Sequence, residues 1–300
     1  MKTQSIPSLT PEPIVQDRVI ANFPKRPRDS HKGMFGSVAV IGGASGMIGA
    51  PLLAARAALK LGAGCVHVGL LAGNAPGVDP LQPELMLHRA HDILSSTPFA
   101  LSLSKGNSVI AIGCGLERDM AAQKLLHDAL NCDAALVLDA DALNILAQRP
   151  DLCALLLARK AATVLTPHPG EAARLLACEI GEVQADRVAA VHQLAQKFAC
   201  SVVLKGASSL CATRNGKLFV NQTGNPGMSS AGMGDVLAGM IAAFIAQGMT
   251  ADDALLLAVH LHGAAGDALA EQQATIGMTA TEVTEWARWL LNRHVILRAS

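Results

Sequence analysis

Six short apolar runs recur along the chain: SVAVI (37–41), CVHVGL (65–70), SVIAIG (108–113), ALVLDA (135–140), TVLTP (163–167) and SVVLKG (201–206). Longer stretches of helical periodicity separate most of them. The near-continuous apolar character of the runs fits strands buried on both faces, because a strand covered on one side only alternates with polar residues. The intervening stretches are rich in Ala and Leu, as in APLLAARAALKLGAG and EVQADRVAAVHQLAQKFA, and each offers one apolar stripe. This pattern predicts an α/β fold, a three-layer α/β/α sandwich around a mainly parallel sheet. The segment SSLCATRNGKLFVNQTG departs from it: two short strands joined at Asn215-Gly216 predict an antiparallel hairpin at the sheet edge. Two long helices are expected over roughly 233–247 and 251–272, then a closing one with Trp286 and Trp289.

Residues 1 to about 30, rich in Pro and charge and ending in KRPRDSHKG, read as an N-terminal arm that packs along or between subunits rather than as a core element. Residues 31–300 read as a single domain, since no repeat, low-complexity tract or linker divides them.

Composition narrows the function. With 51 % hydrophobic and 16 % charged residues the chain is globular rather than disordered. Its 24 basic and 24 acidic residues balance, leaving no field to hold nucleic acid or an anionic membrane. Six Phe, two Trp and no Tyr supply no stacking platform for single strands. The start, MKTQSIPSLTPEP, lacks the apolar core of a leader, and no uninterrupted apolar run reaches about eighteen residues, so a cytoplasmic protein is expected. The seven cysteines, Cys65, Cys114, Cys132, Cys153, Cys178, Cys200 and Cys211, are odd in number, widely spaced and never in a CxxC pair. They read mostly as small core residues, with no zinc site.

In a parallel sheet, ligands bind beyond the carboxyl ends of the strands. The first such end is IGGASGMIGAP, where bare backbone meets a helix start. Its glycines, Gly42, Gly43, Gly46 and Gly49, lack the GxGxxG spacing, and no GxxxxGK[ST] loop exists, so close helix–sheet packing competes with ligand binding here. IGCGLERD repeats the theme with Gly113 and Gly115. In LDADALNIL, Asp139 and Asp141 sit where carboxylates cap a helix or hold hydrated Mg²⁺, and capping is the better reading from these residues alone. His168, between two prolines and ahead of Glu171, is held outside a helix, where a ligand or the fold itself could claim it. Lys205 could meet phosphate or ribose, or be solvated. His260 and His262 read as packing residues. The strongest signal is NQTGNPGMSSAGMGDVLAGMIAAFIAQG: Gly224, Gly227, Gly232 and Gly234 precede an apolar helix with Asp235 at the junction. Free amides there make an anion hole, from Gly232, Met233 and Gly234, and the carboxylate can accept a hydroxyl proton. Those are the parts phosphoryl transfer needs.

Together, HKGMFG, GASGMIGAP, IGCGL, LDADALN, TPHPGE, LKGAS and GNPGMSSAGMGDVLAG resemble the ADP/ATP-dependent NAD(P)H-hydrate dehydratase family, in the same order from about His31 to Gly248 and on toward the end. The resemblance implies a ribokinase-like fold and a stand-alone dehydratase without the fused epimerase domain. It implies repair of the hydrated cofactors NADHX and NADPHX: the ring hydroxyl is phosphorylated, with ADP expected over ATP as donor and AMP as product, and phosphate is then eliminated. By the same resemblance, Asp235 is the catalytic base and a hydrate contact; Ala50, Gly115 and His168 hold the hydrated dinucleotide; Lys205, Gly206, Ala207, Ser208, Ser209 and Gly234 bind the adenine nucleotide. A homotetramer and pairing with an NAD(P)HX epimerase are implied too. Ala231 stands where many relatives carry Gly. Mg²⁺ is expected because two polyanions must approach, though no ligand for it is identifiable, with Asp139 or Glu171 acting through water as options. The alternative is a small-molecule kinase of the same fold, of the hydroxymethylpyrimidine or hydroxyethylthiazole type; a non-catalytic nucleotide sensor is a third reading, opposed by Asp235.

Overall fold

The computed structural model describes residues 10–103, 106–273 and 275–297. Its strands are β1 (Glu12–Pro13), β2 (Ser37–Gly42), β3 (Cys65–Leu70), β4 (Met86–Arg89), β5 (Ser108–Ile112), β6 (Ala135–Leu138), β7 (Thr163–Leu165), β8 (Ser201–Leu204), β9 (Leu210–Ala212) and β10 (Leu218–Val220). Its helices are α1 (Gln16–Ala21), α2 (Gly49–Lys60), α3 (Pro98–Ser102), α4 (Met120–Leu130), α5 (Ala140–Gln148), α6 (Pro150–Ala158), α7 (Pro169–Leu176), α8 (Ile180–Ala185), α9 (Arg187–Phe198), α10 (Met233–Ala246), α11 (Ala251–Gln272) and α12 (Ala280–Leu297).

All ten strands form one sheet in the order β1-β10-β9-β8-β7-β6-β5-β2-β3-β4, parallel from β4 through to β8. Strand alternation splits the interior into two cores, as both-face burial requires. Val38 and Val40 of β2 join α2, α10, α11 and α12 on one side; Ala39 and Ile41 join α4, α5, α6 and α9 on the other. The predicted three layers and the six main strands are therefore present. Among the described residues no helix is long and apolar enough to cross a membrane.

Three details differ from the sequence expectation. The Asn215-Gly216 hairpin forms, with β9 antiparallel to both β8 and β10, but it is not the edge: β1 adds in parallel beyond β10. The arm packs along the domain but also contributes to the core, contrary to the expectation of a non-core element, since Ile14, Val19 and Ile20 are buried in the first core; its first nine residues lie outside those described. At the opposite edge, β4 comes from MLHR, too short and too polar to announce itself as a strand.

The sheet changes winding direction between β2 and β5, and the glycines of both strand ends are needed for that junction. A Cβ at Gly42 would lie 2.0 Å from the Cys114 carbonyl oxygen, and one at Gly113 would lie 1.8 Å from that of Asp139. The amides of Gly43 and Ala44 then donate to Cys114 O and Gly115 O at 3.1 and 2.8 Å, tying the two turns together. The packing reading therefore accounts for Gly42 and Gly113, whereas Gly46 and Gly49 face open space.

Helix α10 is almost entirely buried and lies close against α2. The approach depends on Gly239, where an added methyl would sit 2.0 Å from the Ala54 carbonyl oxygen. Gly239→Ala should therefore push the helices apart and cost about 2–3 kcal/mol despite alanine's better helix propensity. A thermal melt should show this as a fall of roughly 3–5 °C; an unchanged or raised Tm would mean the helices separate freely.

Candidate active site

Helix α10 begins at the C-terminal end of the sheet. Its N-cap, Gly232, has φ +89°, a left-handed conformation open to glycine at little cost. The first intrahelical bond runs from Val236 N to Gly232 O, so the amides of residues 233–235 precede the helical ladder. Those amides and the helix dipole offer a place for negative charge. The preceding Ala231 is exposed and is not one of the positive-φ residues, so its methyl is accommodated without strain.

Facing this helix start is a charged cluster drawn from four elements. Lys205, just past β8, is anchored by its amide on Pro167 O and reaches Asp139 Oδ1 with Nζ at 2.6 Å. The lysine side chain is 20 % exposed and the carboxylate 3 %, so this is an interior ion pair and not a solvated strand-end lysine. Burial works against the ammonium, yet Asp139 and Glu171 outweigh it and hold Lys205 above its ordinary pKa. Asp139 occupies the N-cap position of α5 but makes no side-chain cap, so the capping expectation fails for it. Asp141 accepts instead from the Glu117 amide at 2.9 Å, bracing the turn after β5.

Asp235 lies beside this pair. A carboxylate oxygen of Asp235, one of Asp139 and Cys114 Sγ all fall within 4.8 Å of one another. Burial raises the Asp235 pKa to about 6; the Cys114 thiol donates to it and pulls back, Asp139 pushes further, and Lys205 opposes. Burial and the two carboxylates keep Cys114 a thiol, well above its usual range. Cys114 is thus more than the small core residue its apolar neighbours suggest. Its place between the two glycines of IGCGL was the available signal.

Gly234 faces the same cluster, since a Cβ there would come 3.2 Å from Lys205 Nζ. On the other flank Gly115 meets Ala50 of α2, its hypothetical Cβ 3.5 Å from the alanine methyl. His168 caps α7: Nδ1 accepts from the Gly170 and Glu171 amides at 3.0 and 3.4 Å, and Nε2 faces Glu171 Oε1 at 3.2 Å. Glu171 returns the bond through Oε2 to the His168 amide at 2.7 Å. Both nitrogens of the ring are engaged within the chain, while half of its surface stays exposed.

Beyond Lys205 opens a cavity of about 620 Å³, walled by residues 205–209, the loop 221–226, Gly234 and the turn of α11 at Val259–Gly263. Arg187 supports the 205–209 loop from beneath, donating to Ala207 O at 2.6 Å and Leu204 O at 3.4 Å. Ser209 Oγ closes the loop on Gly206 O. The loop 221–226 is held by Asp267, which accepts from Gly224 N and Asn225 Nδ2. Arg187, Asp267 and Asn225 belong to the site's frame and were not singled out from sequence. A larger cavity, about 1010 Å³, involves Phe23, Leu59 and Arg288, near the C-terminus of α2 and away from the strand ends that carry this chemistry.

The structure thus brings Asp235, Gly234, Lys205 and Asp139 into one cluster, with the 205–209 loop on the cavity side and Ala50 and Gly115 on the other. A Mg²⁺ cage is not among its features. Of the grouped donors, the thiol is a soft ligand unsuited to Mg²⁺, and Asp139 already holds Lys205. Glu171 has both oxygens turned to His168. What the arrangement can do is receive an anion at the helix start beside a cation, and take a proton at a carboxylate set near neutrality.

Comparison with known proteins gives this geometry a family. The model of the NAD(P)H-hydrate dehydratase family matches residues 38–288. An ADP-dependent (S)-NAD(P)H-hydrate dehydratase of Neisseria meningitidis is 43 % identical over 277 residues, covering 90 % of each chain. A bifunctional NAD(P)H-hydrate repair enzyme of Coxiella burnetii is 40 % identical over 90 % of this chain, which spans about half of that longer protein (53 %). The crystal structure of the Bacillus subtilis ADP/ATP-dependent NAD(P)H-hydrate dehydratase, co-crystallized with ATP/Mg²⁺, superposes with a TM-score of 0.81 at 28 % identity, covering 95 % of this chain and 99 % of that one. A family match across most of the sequence, joined to the motif order and the site geometry, shows that the chain belongs to the NAD(P)H-hydrate dehydratase family.

Proposed function

We infer that this chain is a hydro-lyase that restores NADH and NADPH from their S hydrates with ADP as phosphate donor. The observation that carries the reading is the placement of Asp235 at the start of α10, beside the buried Lys205–Asp139 pair and next to a cavity of nucleotide size. In this reading Lys205, residues 206–209 and Gly234 hold ADP, with its phosphates at the amides of residues 232–234. Ala50, Gly115 and the exposed half of the His168 ring hold the hydrated nicotinamide dinucleotide. Asp235 takes the proton of the ring hydroxyl as its oxygen attacks the terminal phosphorus of ADP; the bond from that phosphorus to the bridging oxygen breaks and AMP leaves. Phosphate then departs from the ring carbon with its bonding electrons, and loss of a ring proton completes the double bond.

Mg²⁺ is assigned to the nucleotide and not to a protein cage. The ion takes oxygen ligands and keeps waters, and bound phosphates supply what this donor set does not. Assembly as a homotetramer, a cytoplasmic setting and cooperation with an NAD(P)HX epimerase extend the family resemblance. So does the division into a short arm and one domain over residues 31–300, with residues 12–21 packed against that domain.

The test is recovery of reduced-nicotinamide absorbance from NADH hydrate. Recovery is expected with ADP, with AMP and phosphate accumulating, and should stop with excess chelator and return when Mg²⁺ is restored. A stable phosphorylated alcohol as end product would instead make the protein a small-molecule kinase.

A further inference from the structure

The stretch GAAGD at 263–267 of α11 carries two glycines and a carboxylate that the proposed reaction does not use. Residues 260, 263 and 267 recur at three- and four-residue spacing, so one face of the helix carries them. That face seats the loop 221–228, most of which walls the 620 Å³ cavity. Thr223 Oγ1 donates to His260 O at 2.9 Å. A Cβ at Gly263 would lie 2.3 Å from that same oxygen of Thr223, and one at Gly266 would lie 2.3 Å from Met228 Sδ. The two glycines therefore let the loop lie directly against the helix.

Asp267 latches the loop in place. One carboxylate oxygen accepts from the Gly224 amide at 2.8 Å and the other from Asn225 Nδ2 at 3.0 Å, while Asn225 Oδ1 accepts in turn from the Gly227 amide at 2.9 Å. Gly224 has φ +106°, a conformation that side chains rarely allow. From this latch the chain passes through the short turn Pro226–Met228, is tied again by Ser230 Oγ to Met278 O at 2.9 Å, and reaches Gly232, the N-cap of α10. The latch and the free amides of residues 233–235 thus lie on one tethered segment. Asp267 reaches both the cavity wall and the helix start through backbone, without touching the cluster of Asp235, Lys205 and Asp139.

We propose that Asp267 is a positioning residue for nucleotide binding: through Gly224 and Asn225 it presets the cavity wall, and the segment leading into α10, before ADP arrives. A loop without the latch has to be ordered on binding, and affinity falls by that cost. This rests on the reading of the cavity as the nucleotide site.

Calorimetric titration of ADP into the full chain tests it. Asp267→Asn turns an amide NH₂ toward one of the two donors and should raise Kd about tenfold. Loss of the negative charge by itself would tighten the binding of a polyanion, so the sign separates the two effects. Combining Asp267→Asn with Asn225→Asp restores all three bonds with the roles exchanged: the carboxylate at 225 accepts from Gly227 and from the amide at 267, whose oxygen accepts from Gly224. This double variant should bind ADP within about threefold of wild type. Asn225→Ala, which leaves α11 untouched, should weaken ADP to a similar degree as Asp267→Asn and serves if that variant melts early. Unchanged or tighter binding in Asp267→Asn would overturn the proposal. So would a fall in the number of titrated sites at unchanged Kd, the mark of partial unfolding, or a double variant that binds no better than the single one. Wild-type protein that binds no ADP would instead remove the nucleotide reading, and the proposal with it.

Discussion

Asp235→Asn should reduce turnover about a thousandfold while leaving ADP affinity within about twofold of wild type, the loss expected if the residue is the general base proposed above and binding contacts stay. The same variant should be more stable than its parent at pH 8. The carboxyl's pKa rises on folding from an ordinary 3.8 to about 6, so the folded state holds its proton more tightly than the unfolded chain does. Above pH 6 the folded protein therefore carries a partly buried charge that the unfolded chain solvates freely, and this opposes folding by on the order of 2–3 kcal/mol. The amide removes that penalty, so the gain should be full above pH 6, shrink as pH falls through 6, and vanish below 4. Chemical denaturation at pH 8 and pH 4.5 checks the sign. In wild type the rate should fall about tenfold per pH unit below 6, as the base becomes protonated. Undiminished turnover in Asp235→Asn would take the base role from this residue.

The second large effect concerns the pair behind it. Lys205→Met should destabilise the protein by about 3–5 kcal/mol, because Asp139 is left almost wholly buried without its cation. Most of that cost belongs to the orphaned carboxylate and not to the lost attraction. Lys205→Met combined with Asp139→Asn should therefore regain a large part of the stability, whereas activity should stay low in both because the cation proposed to face the phosphates is gone. Urea denaturation of the two single variants and the double variant yields the coupling energy. Additive losses, with no recovery in the double variant, would show that the two side chains do not depend on each other.

Much of the fold was legible because its information is local. In a run such as SVIAI the four residues after Ser108 are apolar, and every position of the run is buried. Asn215-Gly216 specifies its turn within four residues, and Thr213 N meets Lys217 O at 2.9 Å across it. What escaped depends on distance along the chain. Lys205 and Asp139 are 66 residues apart, and only the neighbouring positions of β6, β7 and β8 bring them to 2.6 Å. A lysine after a strand looks solvated until its partner is known. Cys114 shares that difficulty: it sits in an apolar sequence that predicts burial correctly, and burial hides its polar neighbours. His168 was readable as a residue fixed outside a helix, but its capping of α7 emerges only from the ring's geometry.

Strand β1 has one more implication, for how the molecule is made. It is made before the other nine strands of the sheet, and its partner β10 follows roughly two hundred residues later. Through most of synthesis Ile14, Val19 and Ile20 have no core to enter. During that interval the segment from Ile14 to Ile20 is an exposed apolar stretch on a growing chain, the kind of surface that chaperones bind and that neighbouring nascent chains aggregate through. Docking of β1 is thus a late event in biogenesis, and it marks the moment at which the sheet edge is sealed.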